Sequence, residues 1–195
     1  MDCVEPKIDV RVAHEPGNRL GWDYNRILAE SPWDWVLFVD HDVMLNTHPN
    51  WYHVLQESIR TQPDAGLLAP KLWHENIPYQ CADNAPFGSR DTEVHRSFAQ
   101  ARWETYGYQL TQVHDRVCGA CMLLNRTKAL QVRFGDGQFE DTAFCRRFLK
   151  AGHTIWIVEG LYLFHDHDNS ARRFTWIDGV WTATDKRKRI PEWAH

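Results

Sequence analysis

The chain has 195 residues and a net charge of −4, with 43% hydrophobic and 25% charged residues. This length fits one domain, residues 1–195, with a sizeable core, and the composition is that of an ordinary globular protein. The negative charge gives no reason to expect nucleic acid as a partner, and the absence of a run of 18 or more apolar residues predicts no transmembrane segment.

The N-terminal part of the chain predicts a strand–helix–strand unit. Apolar and polar residues alternate over residues 7–13, as expected of a strand. After residues 14–17, Asn18 can cap a helix that continues to Glu30 with one apolar face. A continuous apolar run, residues 35–39, then predicts a strand buried on both faces. Because a helix connects them, the two strands are expected to be parallel.

The middle of the chain is less regular. Pro49 suits the first turn of a helix that ends before Pro63, and residues 65–70 predict another strand. Residues 71–113 show poor periodicity, with several proline and glycine residues among tryptophans and tyrosines. A long loop-rich stretch in a compact domain is usually functional, so we expect it to contact substrate.

The C-terminal half predicts further strands and helices. Residues 117–124 form a turn and a strand, residues 125–130 a turn or short helix, and residues 140–151 a helix that ends before Gly152. Residues 153–164 predict a strand. Together these elements predict an α/β domain with a mostly parallel central sheet flanked by helices. Residues 168–195 are a basic tail or lid, because residues 171–195 contain six Lys/Arg and three acidic residues.

Two predicted strands end in side chains that can bind a metal. Asp40, His41 and Asp42 follow the first, and residues 165–168 (His-Asp-His-Asp) follow the second. Successive strand residues point to opposite faces, so Asp40 and Asp42 should share one side while His41 faces away. The same alternation places His165 with His167. Carboxylate and imidazole ligands together favour Mn²⁺, with Mg²⁺ as the alternative.

Glu140 and Asp141 begin the predicted helix at residue 140. Acidic residues in a first helical turn can simply complement the helix dipole. The other interpretation is that one of them is a general base, which a substrate hydroxyl could approach over the glycine-rich loop before it. The sequence leaves both interpretations open.

The order of these motifs resembles a family 2 glycosyltransferase of the GT-A fold, which is Rossmann-like. The resemblance covers roughly residues 8–170. It depends on residues 21–25 (Gly-Trp-Asp-Tyr-Asn), on residues 36–42 (Val-Leu-Phe-Val-Asp-His-Asp), and on residues 119–126 (Gly-Ala-Cys-Met-Leu-Leu-Asn-Arg). It continues through residues 139–152, where Glu-Asp opens a helix that closes on Ala-Gly, and through the downstream His165.

The resemblance implies a metal-dependent, inverting transfer from a nucleoside-diphosphate sugar, most often a UDP-sugar, to an acceptor hydroxyl on a glycan, lipid or protein. Asp42 and His165 would bind the metal, and Asp40 would contact the metal or the ribose. Asp141, next to Glu140, would be the base. The remaining contacts to the donor would come from Asn25, Gly119, Ala120, Arg172 and Arg173, the two arginines being otherwise part of a solvated tail.

The chain departs from the family pattern in one respect. Larger members have an extra strand–helix unit between the first strand and the Asp-x-Asp strand, and an acidic residue of that unit reads the base. Either this chain is a reduced version, or other residues read the base. The candidates for that contact are His14, Glu15 and Arg19.

Three other functions compete with this one. The Asp/His clusters could serve a metal-dependent hydrolase. The ten tryptophans could belong to a sugar-binding module without catalysis. Cys118 and Cys121 could form a redox pair or half of a zinc site, although this Cys-x-x-Cys leads into a strand rather than a helix. Five cysteines in a chain with no export signal predict reduced thiols and a cytoplasmic location. A homo-oligomer is possible.

Overall fold

The computed structural model describes residues 5–12, 20–73, 77–86, 88–135, 140–166, 174–177 and 180–183. Within these ranges the chain is an α/β protein. Its strands are β1 (Ile8–Arg11), β2 (Trp35–Val39), β3 (Val43–Met44), β4 (Leu67–Leu72), β5 (Leu110–Val113), β6 (Cys121–Asn125), β7 (Ile155–His165), β8 (Phe174–Ile177) and β9 (Val180–Ala183). Its helices are α1 (Leu20–Glu30), α2 (Trp51–Thr61), α3 (Thr92–Tyr106), α4 (Arg126–Val132) and α5 (Glu140–Lys150), with a short 3-10 helix at Leu45–Thr47.

Seven of these strands form one open sheet in the order β1-β2-β6-β4-β7-β3, and β5 also pairs with β7. The β1–β2 and β4–β7 pairs are parallel, and the other four pairs are antiparallel. The prediction of a mostly parallel sheet is therefore wrong, because the sheet is mixed. A continuous apolar run reports burial on both faces and not strand direction. Both β2 and β6 are such runs, yet they are antiparallel to each other.

The strand β2 lies between two apolar layers, which explains why its five residues are all buried. Val36 and Phe38 pack on one side, in a cluster that includes residues of α1 and α5. Leu37 and Val39 point to the other side and pack with α2. Burying a side chain of this size typically contributes about 1.5–3 kcal/mol, so β2 is a central element of the core.

The predicted strand–helix–strand unit is confirmed, with β1 and β2 parallel and Ile8 opposite Trp35. The helix at residue 140 is also confirmed. It is followed by Gly152, whose φ of +85° is the left-handed conformation typical of a glycine after a helix. Asn125 caps α4, since its side chain accepts a hydrogen bond from the backbone N–H of Lys128 at 3.1 Å.

The loop-rich interpretation of residues 71–113 is wrong in its second half. This region contains α3, 15 residues long, and the strand β5. Asp91 caps the helix by accepting from the N–H of Glu93 at 2.9 Å. The buried residues of α3 are His95, Ala99 and Arg102. Because two of the three are polar, the helical period is invisible in a hydrophobic pattern.

The stretch predicted as a basic tail or lid contains the antiparallel pair β8–β9, in which Trp176 lies opposite Trp181.

Across the described ranges, no helix combines the length and the apolar character that crossing a bilayer demands.

Candidate functional site

A tight turn follows β2 and brings two acidic residues together. Asp40 is the first residue after the strand, and its carbonyl accepts a hydrogen bond from the N–H of Val43 at 3.1 Å. Val43 begins β3, which pairs antiparallel with β7 and places Val43 opposite His165. The turn therefore lies against the end of β7, as expected if both strand ends meet at one edge of the sheet.

Asp40, Asp42 and His165 form a group in which one ligand atom of each residue lies within 4.8 Å of the others. His165 is 1% exposed, and its Nε2 lies 3.0 Å from Oδ1 of Asp42. The predicted grouping of the two carboxylates is confirmed. Its cause is the turn at residues 40–43, since the chain has already left the strand. His41, between them, is exposed.

The residues of this group fit a divalent cation. With metal–ligand distances of about 2.1 Å, neighbouring ligands of an octahedral ion lie about 3 Å apart, which matches the separation of Asp42 and His165. That separation is also a hydrogen-bond distance, so the two side chains hold each other without an ion. Two carboxylates and one imidazole suit Mn²⁺, and three protein ligands leave positions for a substrate.

Two neighbouring residues, Gly119 and Ala120, connect this group to the start of α5. The carbonyl of Ala120 accepts a hydrogen bond from the N–H of Asp40 at 2.8 Å. The N–H of Gly119 donates to Oδ2 of Asp141 at 2.9 Å. A Cβ at position 119 would lie 3.0 Å from Cβ of Asp141, so any larger residue there would crowd Asp141. The structure thus brings together Asp40, Asp141 and the predicted donor-contacting turn.

The two acidic residues that begin α5 have different surroundings. Oδ1 of Asp141 accepts from the N–H of Thr142 at 2.8 Å, and the side chain is half-buried. Oε1 of Glu140 accepts from the N–H of Gly135 and pairs with Arg147. The side chain of Glu140 is 10% exposed. Glu140 therefore holds Gly135 and Arg147, while Asp141 contacts the Gly119 turn.

Tyr24 is a buried core residue of α1 whose pKa responds to the acids of the candidate site. Its ring packs on Phe38 and Phe134, with centroid distances of 4.4 and 4.7 Å. Burial raises the pKa of Tyr24, and the negative charges of Asp40 and Asp141 raise it further. A neutral phenol therefore lies in the field of both acids. No separate sequence signal distinguishes it from a core tyrosine.

Asn25, predicted to contact the nucleotide, makes two hydrogen bonds to the backbone of Phe134. Its Nδ2 donates to the carbonyl at 2.7 Å, and its Oδ1 accepts from the N–H at 2.9 Å. These bonds tie α1 to the segment before α5. The predicted residues that lie outside the described part of the chain are His14, Glu15, Arg19, His167, Asp168, Arg172 and Arg173.

A shallow cavity of about 190 Å³ lies beside the end of β1. Arg11, Asp23, Arg26 and Glu30 contribute to its wall, so positive and negative side chains balance. Arg26 pairs with both Asp23 and Glu30. The cavity is smaller than the roughly 300–1,000 Å³ of typical ligand pockets, so by itself it does not hold a nucleotide sugar.

An aromatic cluster packs around Phe164, the residue before His165 in β7. The ring of His95 stacks on Phe164 with a centroid distance of 3.7 Å. Its Nδ1 lies 2.7 Å from the hydroxyl of Tyr162, and its Nε2 lies 2.9 Å from the carbonyl of Ser89. Burial lowers the pKa of His95. Trp73 packs edge-on against Phe164, so at least this tryptophan belongs to the core near the site.

The cysteines do not support a redox site. Cys121 and Cys145 are buried free thiols. Cys121 is fully buried as the first residue of β6, and burial raises its pKa. A thiolate there is strongly disfavoured, so Cys121 lacks the reactivity that a redox Cys-x-x-Cys needs.

Comparison with known proteins gives no assignment. No protein-family model matches the chain, and a search of curated proteins finds no significant match.

Proposed function

We propose that this chain is a metal-dependent inverting glycosyltransferase of the GT-A type, which moves a sugar from a UDP-sugar to an acceptor hydroxyl. One observation carries the proposal. The group Asp40–Asp42–His165 and the carboxylate of Asp141 are joined through two adjacent residues, Gly119 and Ala120. A cation-binding group and a candidate base are thereby held on either side of one rigid turn.

The proposed roles follow from these contacts. Asp42 and His165, with Asp40, hold the divalent cation, which when bound neutralises the charge of the departing diphosphate. Asp141 accepts the proton of the acceptor hydroxyl, whose oxygen forms a bond to the anomeric carbon of the sugar. The bond from that carbon to the diphosphate oxygen breaks, and the configuration inverts. The hydrogen bonds from Gly119 and Thr142 fix the orientation of Asp141.

A metal-dependent hydrolase is the second candidate, because three protein ligands and open coordination positions would also suit a metal-activated water. It gives no role to Asp141, which contacts the turn beside the metal group. Asp141→Asn therefore separates the two functions. A transferase loses its base, whereas a hydrolase keeps its activity. A sugar-binding module explains neither Asp141 nor the metal group.

The test of the proposal is calorimetric titration of UDP into the protein with and without Mn²⁺. We expect binding that depends on Mn²⁺ and is lost in Asp42→Ala. Glu104→Ala is the matched control, since it removes an exposed acid of α3 that hydrogen-bonds Gln100. The control should bind like the native protein. UDP binding that is indifferent to both Mn²⁺ and Asp42 would refute the proposal.

A further inference from the structure

Gln80 is a fully buried polar residue in the segment between β4 and α3, and its side chain reaches the turn at residues 118–120. It is 0% exposed. Its Oε1 accepts a hydrogen bond from the N–H of Cys118 at 2.7 Å, and its Nε2 lies 3.4 Å from the carbonyl of Pro70. A buried amide whose acceptor is used in this way is costly to replace, because the Cys118 N–H would lose its partner.

Buried charges hold the segment around Gln80 in place. Nζ of Lys71 donates to the carbonyl of Tyr79 at 2.8 Å and lies 3.5 Å from that of Cys81, the residues on either side of Gln80. Nζ of Lys71 also lies 3.2 Å from Oε2 of Glu159, and Nη2 of Arg102 lies 2.9 Å from the same oxygen. Because these ionic side chains are almost inaccessible, the segment has little freedom to move.

In the turn at residues 118–120, each residue makes one backbone hydrogen bond to a residue outside the turn. The N–H of Cys118 donates to Gln80, the N–H of Gly119 donates to Asp141, and the carbonyl of Ala120 accepts from Asp40. Gln80 is the only one of these three partners that lies outside the proposed catalytic group. Because the three residues are consecutive, a displacement of Cys118 would also displace Gly119 and Ala120, which contact Asp141 and Asp40.

We infer that Gln80 is a positioning residue, which holds the turn so that Asp141 keeps its place relative to Asp40, Asp42 and His165. This inference rests on the proposed function for its effect on turnover. The position of the turn is independent of that function. A displacement of about 1 Å at a catalytic group can lower a rate by about 100-fold, so an effect through Asp141 is measurable.

The test compares Gln80→Met, which removes the acceptor at similar volume, with Gln56→Met. Gln56 is the matched control because it is also a buried glutamine, and its Nε2 donates to the carbonyl of Pro6 at 2.7 Å, away from the turn. The readouts are hydrogen exchange of the Gly119 amide and kcat and KM for UDP-glucose, UDP-galactose or UDP-N-acetylglucosamine with Mn²⁺. Gln80→Glu keeps an acceptor oxygen and serves as the conservative variant.

In Gln80→Met we expect exchange of the Gly119 amide to rise at least about 10-fold and kcat to fall by about 10- to 100-fold, with KM for the donor little changed. Gln56→Met should change neither the exchange of the Gly119 amide nor kcat. Gln80→Glu should bring both quantities part of the way back toward their values in the native protein. Should Gln80→Met fail to fold, Gln80→Asn takes its place, because an amide one methylene shorter loses its reach to Cys118. A rise in Gly119 exchange relative to Gln56→Met then supports the inference, and equal exchange overturns it.

The outcomes separate this inference from the proposed function. If the native protein transfers sugar and the two Met variants match each other in kcat and Gly119 exchange, Gln80 has no positioning role and the function stands. If the native protein shows no transfer, the proposed function fails and Gly119 exchange alone judges Gln80. Faster exchange of the Gly119 amide in Gln80→Met, but not in Gln56→Met, then supports the inference that Gln80 positions the turn. Unchanged exchange in Gln80→Met overturns that inference.

Discussion

Gly119 and Asp141 are in direct contact: the glycine N–H donates to Oδ2 of the aspartate at 2.9 Å, and the glycine leaves no room for a side chain. In Gly119→Ala the new Cβ would lie 3.0 Å from Cβ of Asp141 and 3.3 Å from its Oδ2. We therefore expect Asp141 to be displaced and turnover to fall about 10- to 100-fold, while Mn²⁺ affinity is retained. Steady-state kinetics and calorimetry measure the two effects.

The matched control for that variant is Gly88→Ala. Gly88 has a φ of +88° and open space around its Cα, so alanine there is strained without touching the site. We expect a loss of about 1 kcal/mol in the free energy of unfolding with normal turnover. Equal turnover in both alanine variants would show that the Gly119 contact does not position the base.

Asp141→Asn tests the proposed base directly. The amide keeps an oxygen that accepts from Gly119 but cannot take a proton from the acceptor hydroxyl. We expect UDP–Mn²⁺ affinity to be retained and transfer to fall about 100- to 10,000-fold. Glu140→Gln is the informative neighbour, because Glu140 pairs with Arg147 and Gly135. Glu140→Gln should lower the free energy of unfolding and leave turnover nearly unchanged. A loss of transfer in Glu140→Gln, with transfer retained in Asp141→Asn, would make Glu140 the base.

His165→Ala and His41→Ala compare the histidine of the proposed metal group with a histidine that lies between the two carboxylates of that group in sequence. His165 is buried against Asp42, whereas His41 is exposed although it lies between Asp40 and Asp42. We expect His165→Ala to weaken Mn²⁺ binding by at least about 10-fold, the scale of losing even a supporting contact of a metal site. His41→Ala should bind normally. Titration of free Mn²⁺ by electron paramagnetic resonance measures both, and equal affinities would exclude His165 as a ligand.

His95 makes stability depend on pH. Burial lowers its pKa, so the unfolded chain binds this proton at a higher pH than the folded chain does. The contribution to stability is therefore fully present above the ordinary histidine pKa of about 6.5 and is lost as the pH falls below it. The slope reaches at most about 1.4 kcal/mol per pH unit for one proton.

The measurement for His95 is urea unfolding of the native protein and of His95→Gln at pH 7 and pH 5. The difference in the free energy of unfolding between the two should shrink toward pH 5. His53→Gln, at an exposed position on α2, should show little such change. A constant difference for His95→Gln would mean that His95 titrates alike in the folded and unfolded states.

Several parts of the fold follow from local sequence. The limits of β2 were predicted correctly because an apolar run ends abruptly at Asp40, and α1 ends at Glu30 because Ser31 and Pro32 follow it. The direction of β1 relative to β2 was predicted correctly from the helix that connects them, but the directions of the other strands were not, since burial does not encode direction. The helix α3 was missed because His95 and Arg102 occupy its buried face.

Part of the candidate site was likewise predictable from local sequence, and part was not. The candidate metal group was found because acidic and imidazole residues stand at strand ends. The proposed positioning role of Gln80, and the influence of Asp40 and Asp141 on the pKa of Tyr24, were not found because each depends on residues far away in the sequence. Gln80 meets Cys118 across 38 positions, and no local pattern records that contact. Tyr24 is an ordinary member of an apolar helix face until the sheet brings Asp40 and Asp141 near it.

The distance in sequence between Asp42 and His165 has a consequence for folding. The two residues are 123 positions apart and meet only when β3 pairs with β7. Contacts this distant carry a large loop-closure entropy, and chains dominated by them fold slowly. Asp42 is therefore joined to His165 only once the outer strand of the sheet has docked. Because a chain in which β3 has not docked lacks this pair, the appearance of the proposed Mn²⁺ binding during refolding should report the pairing of β3 with β7.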